Sequence, residues 1–241
     1  MVEYGNSIQM TQPSRFDRLS SSYEELLRDP IRQRFTGAES MFFHRRKADL
    51  IRRFFHRRDL AMSKLTYLDF GCGKGELLSL LQPEFKSAAG CDVSAQMMRQ
   101  ITDIETRIQE DPSRIPFGDD EFDFVTAVCV YHHVPPAARP ALTSEIRRVL
   151  RPGGIFCMIE HNPLNPVTRV LVRRTPVDSD AVLLPGGEAR QLTRRAGFTH
   201  LQQDYFLYFP QSVYRNVGRL ENVLAIVPLG GQYAVFSAKP S

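Results

Sequence analysis

The residues best suited to chemistry fall into two groups. The first is the run Tyr67-Leu68-Asp69-Phe70-Gly71-Cys72-Gly73-Lys74-Gly75-Glu76, followed by Leu77-Leu78. An apolar stretch ends in a carboxylate, three glycines alternate, and an amphipathic segment opens. That order reads as a buried strand, a tight turn and a helix whose N-terminus faces a ligand. Glycine is required where the backbone takes a positive φ or lies against that ligand. The spacing G-x-G-x-G departs from the dinucleotide fingerprint G-x-G-x-x-G, whose third glycine would fall at Glu76, a poor neighbour for a pyrophosphate. A cationic cofactor without phosphates suits this turn better, and NAD suits it least. Asp92 stands 21 residues after Gly71, near the offset of roughly 20 at which a carboxylate ending the second strand reaches a ribose diol. Its alternative role is a helix cap.

The second group is histidine-rich. Tyr131-His132-His133 and Glu160-His161-Asn162-Pro163 each follow an apolar run directly, at the rim where open α/β sheets bind ligands. A Glu-His-Asn cluster is costly to bury without partners, so it is either exposed or hydrogen-bonded into a site. His161 is the candidate base or orienting group there, with loop packing as its alternative. His132 and His133 admit loop packing as readily as catalysis. His44, His56 and His200 have no local constellation.

Four stretches resemble, in order, the motifs of the class I S-adenosylmethionine-dependent methyltransferases. Leu68-Asp69-Phe70-Gly71-Cys72-Gly73-Lys74-Gly75 is similar to the first motif, and Gly90-Cys91-Asp92-Val93-Ser94 to the end of the second strand. Asp111-Pro112-Ser113-Arg114-Ile115-Pro116-Phe117, then Phe122-Asp123-Phe124-Val125, resembles the third motif leading into the fourth strand. Glu145-Ile146-Arg147-Arg148-Val149-Leu150-Arg151-Pro152-Gly153-Gly154 resembles the helix and turn before the fifth strand. The likeness is close over residues 64–160 and loose elsewhere.

The resemblance implies an α/β fold: a Rossmann-like class I methyltransferase sheet, mostly parallel with an antiparallel edge strand, helices on both faces and an N-terminal helical cap. It implies S-adenosylmethionine as cofactor and S-adenosylhomocysteine as product. Asp69, Gly71, Cys72 and Gly73 would surround the methionine end, and Asp92 would hold the ribose. Val93 would lie against the adenine, Asp111 would take its amino group or serve as a turn residue, and Cys129 would offer backbone contact. Lys74 departs from the small hydroxyl residue that the family often has at that place. The implied reaction is methyl transfer to an O or N atom of a small-molecule acceptor, with His161, His132 and His133 as catalytic candidates. A base is needed only if the acceptor must lose a proton. Two other readings stand beside this one. An RNA methyltransferase would use the basic helix described below, but the Asn/Asp-Pro-Pro-Tyr/Phe motif is replaced by Val130-Tyr131-His132-His133. A catalytically silent adenosyl-ligand-binding scaffold would keep the fold, although intact Asp69, Gly71, Gly73, Asp92 and Asp111 argue against decay of the pocket.

The elements that must position these residues follow from composition and period. With 241 residues and 42% apolar content, one large domain with a proper core is expected. Residues 1–60 read as the helical cap, 64–160 as the cofactor-binding core, and 161–241 as a substrate-side excursion with the last strands. No apolar run is long enough to span a membrane, and the polar start lacks a secretory core, so a cytoplasmic protein is expected. The cysteines, at 72, 91, 129 and 157, lack metal-ligand pairing and read as reduced, with no metal site. Net charge is +4, and residues 44–58 hold seven Lys/Arg against one Asp. At about 100° per residue, Phe43, Leu50, Ile51, Phe54 and Phe55 share one helix face. Arg45, Arg46, Arg52, Arg53 and Arg57 fall on the other, read as solvated or as steering an anionic acceptor. Strands are expected at 64–70, 86–92, 107–109, 122–130, 155–160, 201–209 and 232–238, and a helix from Pro135 to Leu150.

Overall fold

A computed structural model describes residues 15–19, 41–218 and 220–241 of the chain. The expected cap is therefore described only by helices α1 (Arg15–Leu19) and α2 (Met41–His56). Its breakers Ser20-Ser21-Ser22 and Asp29-Pro30 lie outside the described residues.

Seven strands form one sheet in the order β3-β2-β1-β4-β5-β7-β6. They are β1 (Thr66–Phe70), β2 (Ser87–Asp92), β3 (Glu105–Ile108), β4 (Phe122–Val128), β5 (Leu150–His161), β6 (Thr199–Phe206) and β7 (Gln232–Ala238). Strands β1 to β5 run parallel. The antiparallel strand expected at the edge is β7, which inserts between β5 and β6 and pairs antiparallel with both. The connecting helices are α3 (Glu76–Leu81), α4 (Ala95–Met98), α5 (Arg139–Val149), α6 (Pro166–Arg174), α7 (Gly186–Arg195), α8 (Gln211–Val217) and α9 (Leu220–Leu224). No helix among the described residues is long and apolar enough to cross a membrane.

Alternation along each strand sends its side chains to two different cores. Leu68, Phe70, Val125, Phe156 and Met158 pack with Leu142, Ile146 and Val149 of α5 and Ala189 of α7. Tyr67, Phe124, Cys157, Ile159 and Phe236 pack with Ile51, Phe54 and Phe55 of α2 and Leu78 and Leu81 of α3. Phe54 stacks on Phe236 at 3.8 Å, and Phe55 meets Phe124 edge-on at 4.9 Å. Each fully buried aromatic contributes roughly 1.5–3 kcal/mol, which is what docks α2. The same parity decides where the strand-end residues emerge. Asp69, Thr126 and His161 follow Tyr67, Phe124 and Ile159 onto the α2 side, whereas Glu160 follows Met158 onto the α5 side.

Helix α2 differs from its expected faces. Phe42 is buried and Phe43 only half-buried, while Arg46 and Lys47 are 3% and 6% exposed. Arg46 donates to Glu221 of α9 at 2.5 Å and lies over the Tyr214 ring of α8 at 3.8 Å. The C-terminal helices cover a second side of α2, which its own periodicity could not reveal. Arg52 pairs with Glu84 at 2.6 Å, and Arg58 donates to Gln202 at 2.8 Å. Helix α5 starts at Arg139 rather than Pro135, because residues 135–138 close as a turn (Ala138 N–H to Pro135 O, 2.8 Å). Pro140 then occupies the first helical turn, where no N–H is needed. Strands β3 and β6 both begin and end earlier than apolar content alone suggests.

Candidate active site

At the C-terminal end of β1, the turn to α3 holds Gly71, Gly73 and Gly75 at φ +72°, +54° and +78°, a conformation that side-chain-bearing residues adopt at a cost. A Cβ on Gly71 would lie 2.4 Å from Val130 Cγ2, and one on Gly75 would lie 2.7 Å from Ile101 Cγ1. A Cβ on Gly73 would meet nothing within 4 Å. The turn is thus packed at its ends and open in the middle. Cys72 is buried, and its Sγ would be 2.8 Å from a Cβ on Gly90, so its side chain serves the β1–β2 packing.

Asp92 holds this turn. Its Oδ2 accepts from Gly73 N–H at 2.9 Å and its Oδ1 from Ser94 N–H at 2.8 Å. Burial raises its pKa against those two bonds. Ser94 caps α4 by accepting from Met97 N–H at 3.2 Å. Val93, between them, is half-buried. Asp69 is 3% exposed and accepts from Thr126 Oγ1 at 2.6 Å. Burial lifts its pKa to about 7, against the Thr126 bond and the nearby Lys47 charge. Asp111 lies on an exposed turn, its Oδ1 accepting from Ser113 N–H at 2.8 Å and Ser113 Oγ at 2.6 Å. These bonds are those of the turn role that Pro112 favours.

The second group gathers where β4 and β5 end and the antiparallel β7 begins. Cys129 has a left-handed φ of +57° and gives its N–H to Ile159 O at 2.8 Å. Its thiol, not only its backbone, faces the site, with Gln232 Nε2 at 3.3 Å and Lys47 Nζ at 3.9 Å. Burial would push this thiol up, but Lys47 and His161 outweigh it and bring the pKa down to about 7. His161 pairs with Gln232 Nε2 through Nδ1 at 3.4 Å, and its ring lies 5.1 Å from that of His132.

Glu160 is fully buried, accepting from Tyr131 N–H at 2.7 Å and engaging His132 Nδ1 at 2.6 Å. Burial alone would raise the carboxyl and lower the imidazole. Their mutual attraction reverses both directions, so the pair is ionic, with Asp178 adding to the field on His132. His132 is 1% exposed and committed to Glu160 through Nδ1. His133 is lowered by burial and by the charge on His132. Asn162 is structural: its Nδ2 donates to Pro228 O at 3.1 Å and Gly230 O at 2.8 Å.

Helix α1 bridges the two groups. Asp17 Oδ1 accepts from Ser94 Oγ at 2.7 Å and Gln96 N–H at 3.0 Å. Two residues earlier, Arg15 donates to Val177 O at 3.1 Å and Ser179 Oγ at 2.8 Å, and it pairs with Asp180. Sequence reasoning missed Arg15, Asp17, Lys47, Thr126, Asp178 and Gln232. Only Lys47 had a local signal: it stands four and seven residues before Ile51 and Phe54, hence on the apolar stripe.

Residues 68–158 match the model of the methyltransferase domain family. An uncharacterised methyltransferase of Synechocystis is 32% identical, covering 41% of this chain and 48% of that protein. A demethylmenaquinone methyltransferase of Staphylococcus saprophyticus is 33% identical, covering 42% of this chain and 46% of that protein. The chain thus spans about half the length of the curated relatives it matches. In fold it resembles a Thermotoga maritima methyltransferase described as a possible histamine N-methyltransferase. That structure has a TM-score of 0.64 and 15% identity, with 93% of this chain and 97% of that one covered. Residues 68–158 belong to the class I S-adenosylmethionine-dependent methyltransferases, enzymes whose cofactor is S-adenosylmethionine. The site fits that group, because the open face at Gly73 adjoins Asp92, which takes the Gly73 N–H, and Asp92 in turn interacts with the buried carboxylate of Asp69, which has the ammonium of Lys47 near it.

Proposed function

We propose that the chain transfers a methyl group to an O or N atom of a small-molecule acceptor placed at the rim of Cys129, His161 and Gln232. The observation that carries this reading is the closeness of two chemically different ends on one sheet face. Lys47 links them, acting electrostatically on Asp69 at β1 and lying 3.9 Å from the Cys129 thiol after β4. S-adenosylmethionine, when bound, supplies a methyl group on a sulfonium, already activated for in-line displacement.

The chain's own residues then position and protect. Asp69 and Lys47 carry opposite charges suited to the ammonium and carboxylate of an amino-acid end. Asp92 is placed for the ribose hydroxyls, Val93 for the adenine, and the open face of Gly73 for close approach of the ligand to backbone. Proximity and alignment supply much of the acceleration. His161 takes or orients the acceptor proton where the nucleophile carries one. The His132–Glu160 ion pair fixes the rim beneath it. The basic helix lends little to an RNA reading, since Arg46, Lys47, Arg52 and Arg58 make contacts within the chain.

The test uses S-adenosylmethionine with an isotopically labelled methyl group and a panel of amines, phenols and a demethylated quinol, with mass spectrometry of the products. Label should appear on an acceptor oxygen or nitrogen. His161→Ala should lower turnover by roughly 10²- to 10⁴-fold while leaving S-adenosylhomocysteine affinity nearly unchanged. Label on carbon alone would overturn the acceptor assignment, and full activity in His161→Ala would remove that residue from the chemistry.

A further inference from the structure

Beside the rim, two histidines and an aspartate converge. His132 Nε2 is buried with no hydrogen-bond partner and lies 3.6 Å from Asp178 Oδ1. His133 Nε2 lies 3.6 Å from the same oxygen. The ligand atoms of the three residues all fall within 4.8 Å of one another. A charge-assisted hydrogen bond would bring nitrogen and oxygen to about 2.7–2.9 Å. Two ligands held tetrahedrally at about 2.0–2.2 Å from one zinc ion stand roughly 3.3–3.5 Å apart. The two 3.6 Å spacings are closer to those of groups around a shared ion than to those of groups bonded to each other.

The far ring nitrogens support the same arrangement. His132 Nδ1 is engaged by Glu160 at 2.6 Å and His133 Nδ1 by Asp180 at 3.2 Å. A carboxylate on the outer nitrogen is what fixes the tautomer and ring orientation of a metal-bound imidazole. Both Nε2 atoms are left to the inside. Asp180 is itself held by Arg15, and Phe16 meets the His133 ring edge-on at 5.1 Å, so α1 braces the loop that carries both aspartates. Glu160, Asp178 and Asp180 together outnumber the single charge of the His132 imidazolium, leaving a negative charge that a dication would offset, with the His132 Nε2 proton released on binding.

We infer that His132, His133 and Asp178 form a binding site for one divalent first-row transition metal ion, with zinc favoured by the two-imidazole, one-carboxylate donor set. Three protein ligands leave a fourth position open. This is the one such group among the described residues. Its ligands come from two loops far apart in sequence, which is why ligand spacing gave no expectation of a metal. Cobalt(II) is the direct probe, titrated into chelator-treated full-length protein and read by visible absorption and by metal analysis after gel filtration. One equivalent should bind with the intense d–d bands of low coordination, and zinc should displace it. His133→Ala and the isosteric Asp178→Asn should each weaken binding by about 100-fold, with thermal melts confirming that both variants fold. Absence of stoichiometric cobalt binding by the unaltered protein, or equal binding by the two folded variants, would overturn the site and leave the cluster as an ion-pair network.

Discussion

Asp69 and Asp92 bear the same side chain at neighbouring strand ends but meet different demands. Asp92 is tied by two backbone N–H groups, a geometry that holds a carboxylate ready to receive hydroxyl donors. Asp92→Ala should weaken S-adenosylhomocysteine binding by about 2–3 kcal/mol, the scale of hydrogen bonds to a charged group. Calorimetry on a folded variant decides this, and an unchanged dissociation constant would leave Asp92 as a turn residue only. Asp69 is different because burial lifts its pKa to about 7. A ligand ammonium favours the ionised carboxylate, so binding must expel a proton below that pH. The sign follows: affinity rises with pH and levels off above about 7, giving S-adenosylhomocysteine a dissociation constant about tenfold weaker at pH 6 than at pH 8. Asp69→Asn should flatten that dependence. An equally steep profile in the variant would assign the proton elsewhere. Both aspartates were legible in the sequence because each stands at or next to the end of a strand, at a fixed offset from the glycines. Which of them braces the turn was not, since that depends on side-chain directions across two strands.

The β1–α3 turn separates two uses of glycine. Gly71 is compelled by Val130, and Gly73 faces open space. Gly73→Ala should cost only about 1–2 kcal/mol of stability, the strain of a left-handed alanine, yet weaken S-adenosylhomocysteine binding at least tenfold by filling the open face. Gly71→Ala should lose clearly more stability, because its new methyl would overlap Val130. Chemical denaturation beside calorimetry checks both, and a Gly73→Ala variant with normal affinity would mean that the ligand does not approach there. Local backbone demands of this kind are written into a sequence. Helix α2 shows the opposite case. Its aromatic stripe was readable, but Arg46 reads as a solvent residue until Glu221 and Tyr214 arrive from the other end of the chain. Helical period reports one buried face, and α2 has two.

Across the whole molecule, the sheet brings every chemical group to one edge. The parallel core from β1 to β5 followed from the order of motifs, since each glycine or aspartate landmark closes a βα unit. The insertion of β7 between β5 and β6 set Gln232 opposite His161, a pairing no local signal could announce. Helix α1 likewise joins the Asp92 side to the loop of Asp178 and Asp180 through residues that match no motif. The central claim is that this edge is built for an adenosyl sulfonium cofactor rather than a dinucleotide. Isothermal titration of the full-length protein with S-adenosylhomocysteine, and separately with NAD, tests it most directly. One equivalent of S-adenosylhomocysteine should bind and NAD should give no binding heat; binding of NAD with no response to the adenosyl ligand would contradict the account.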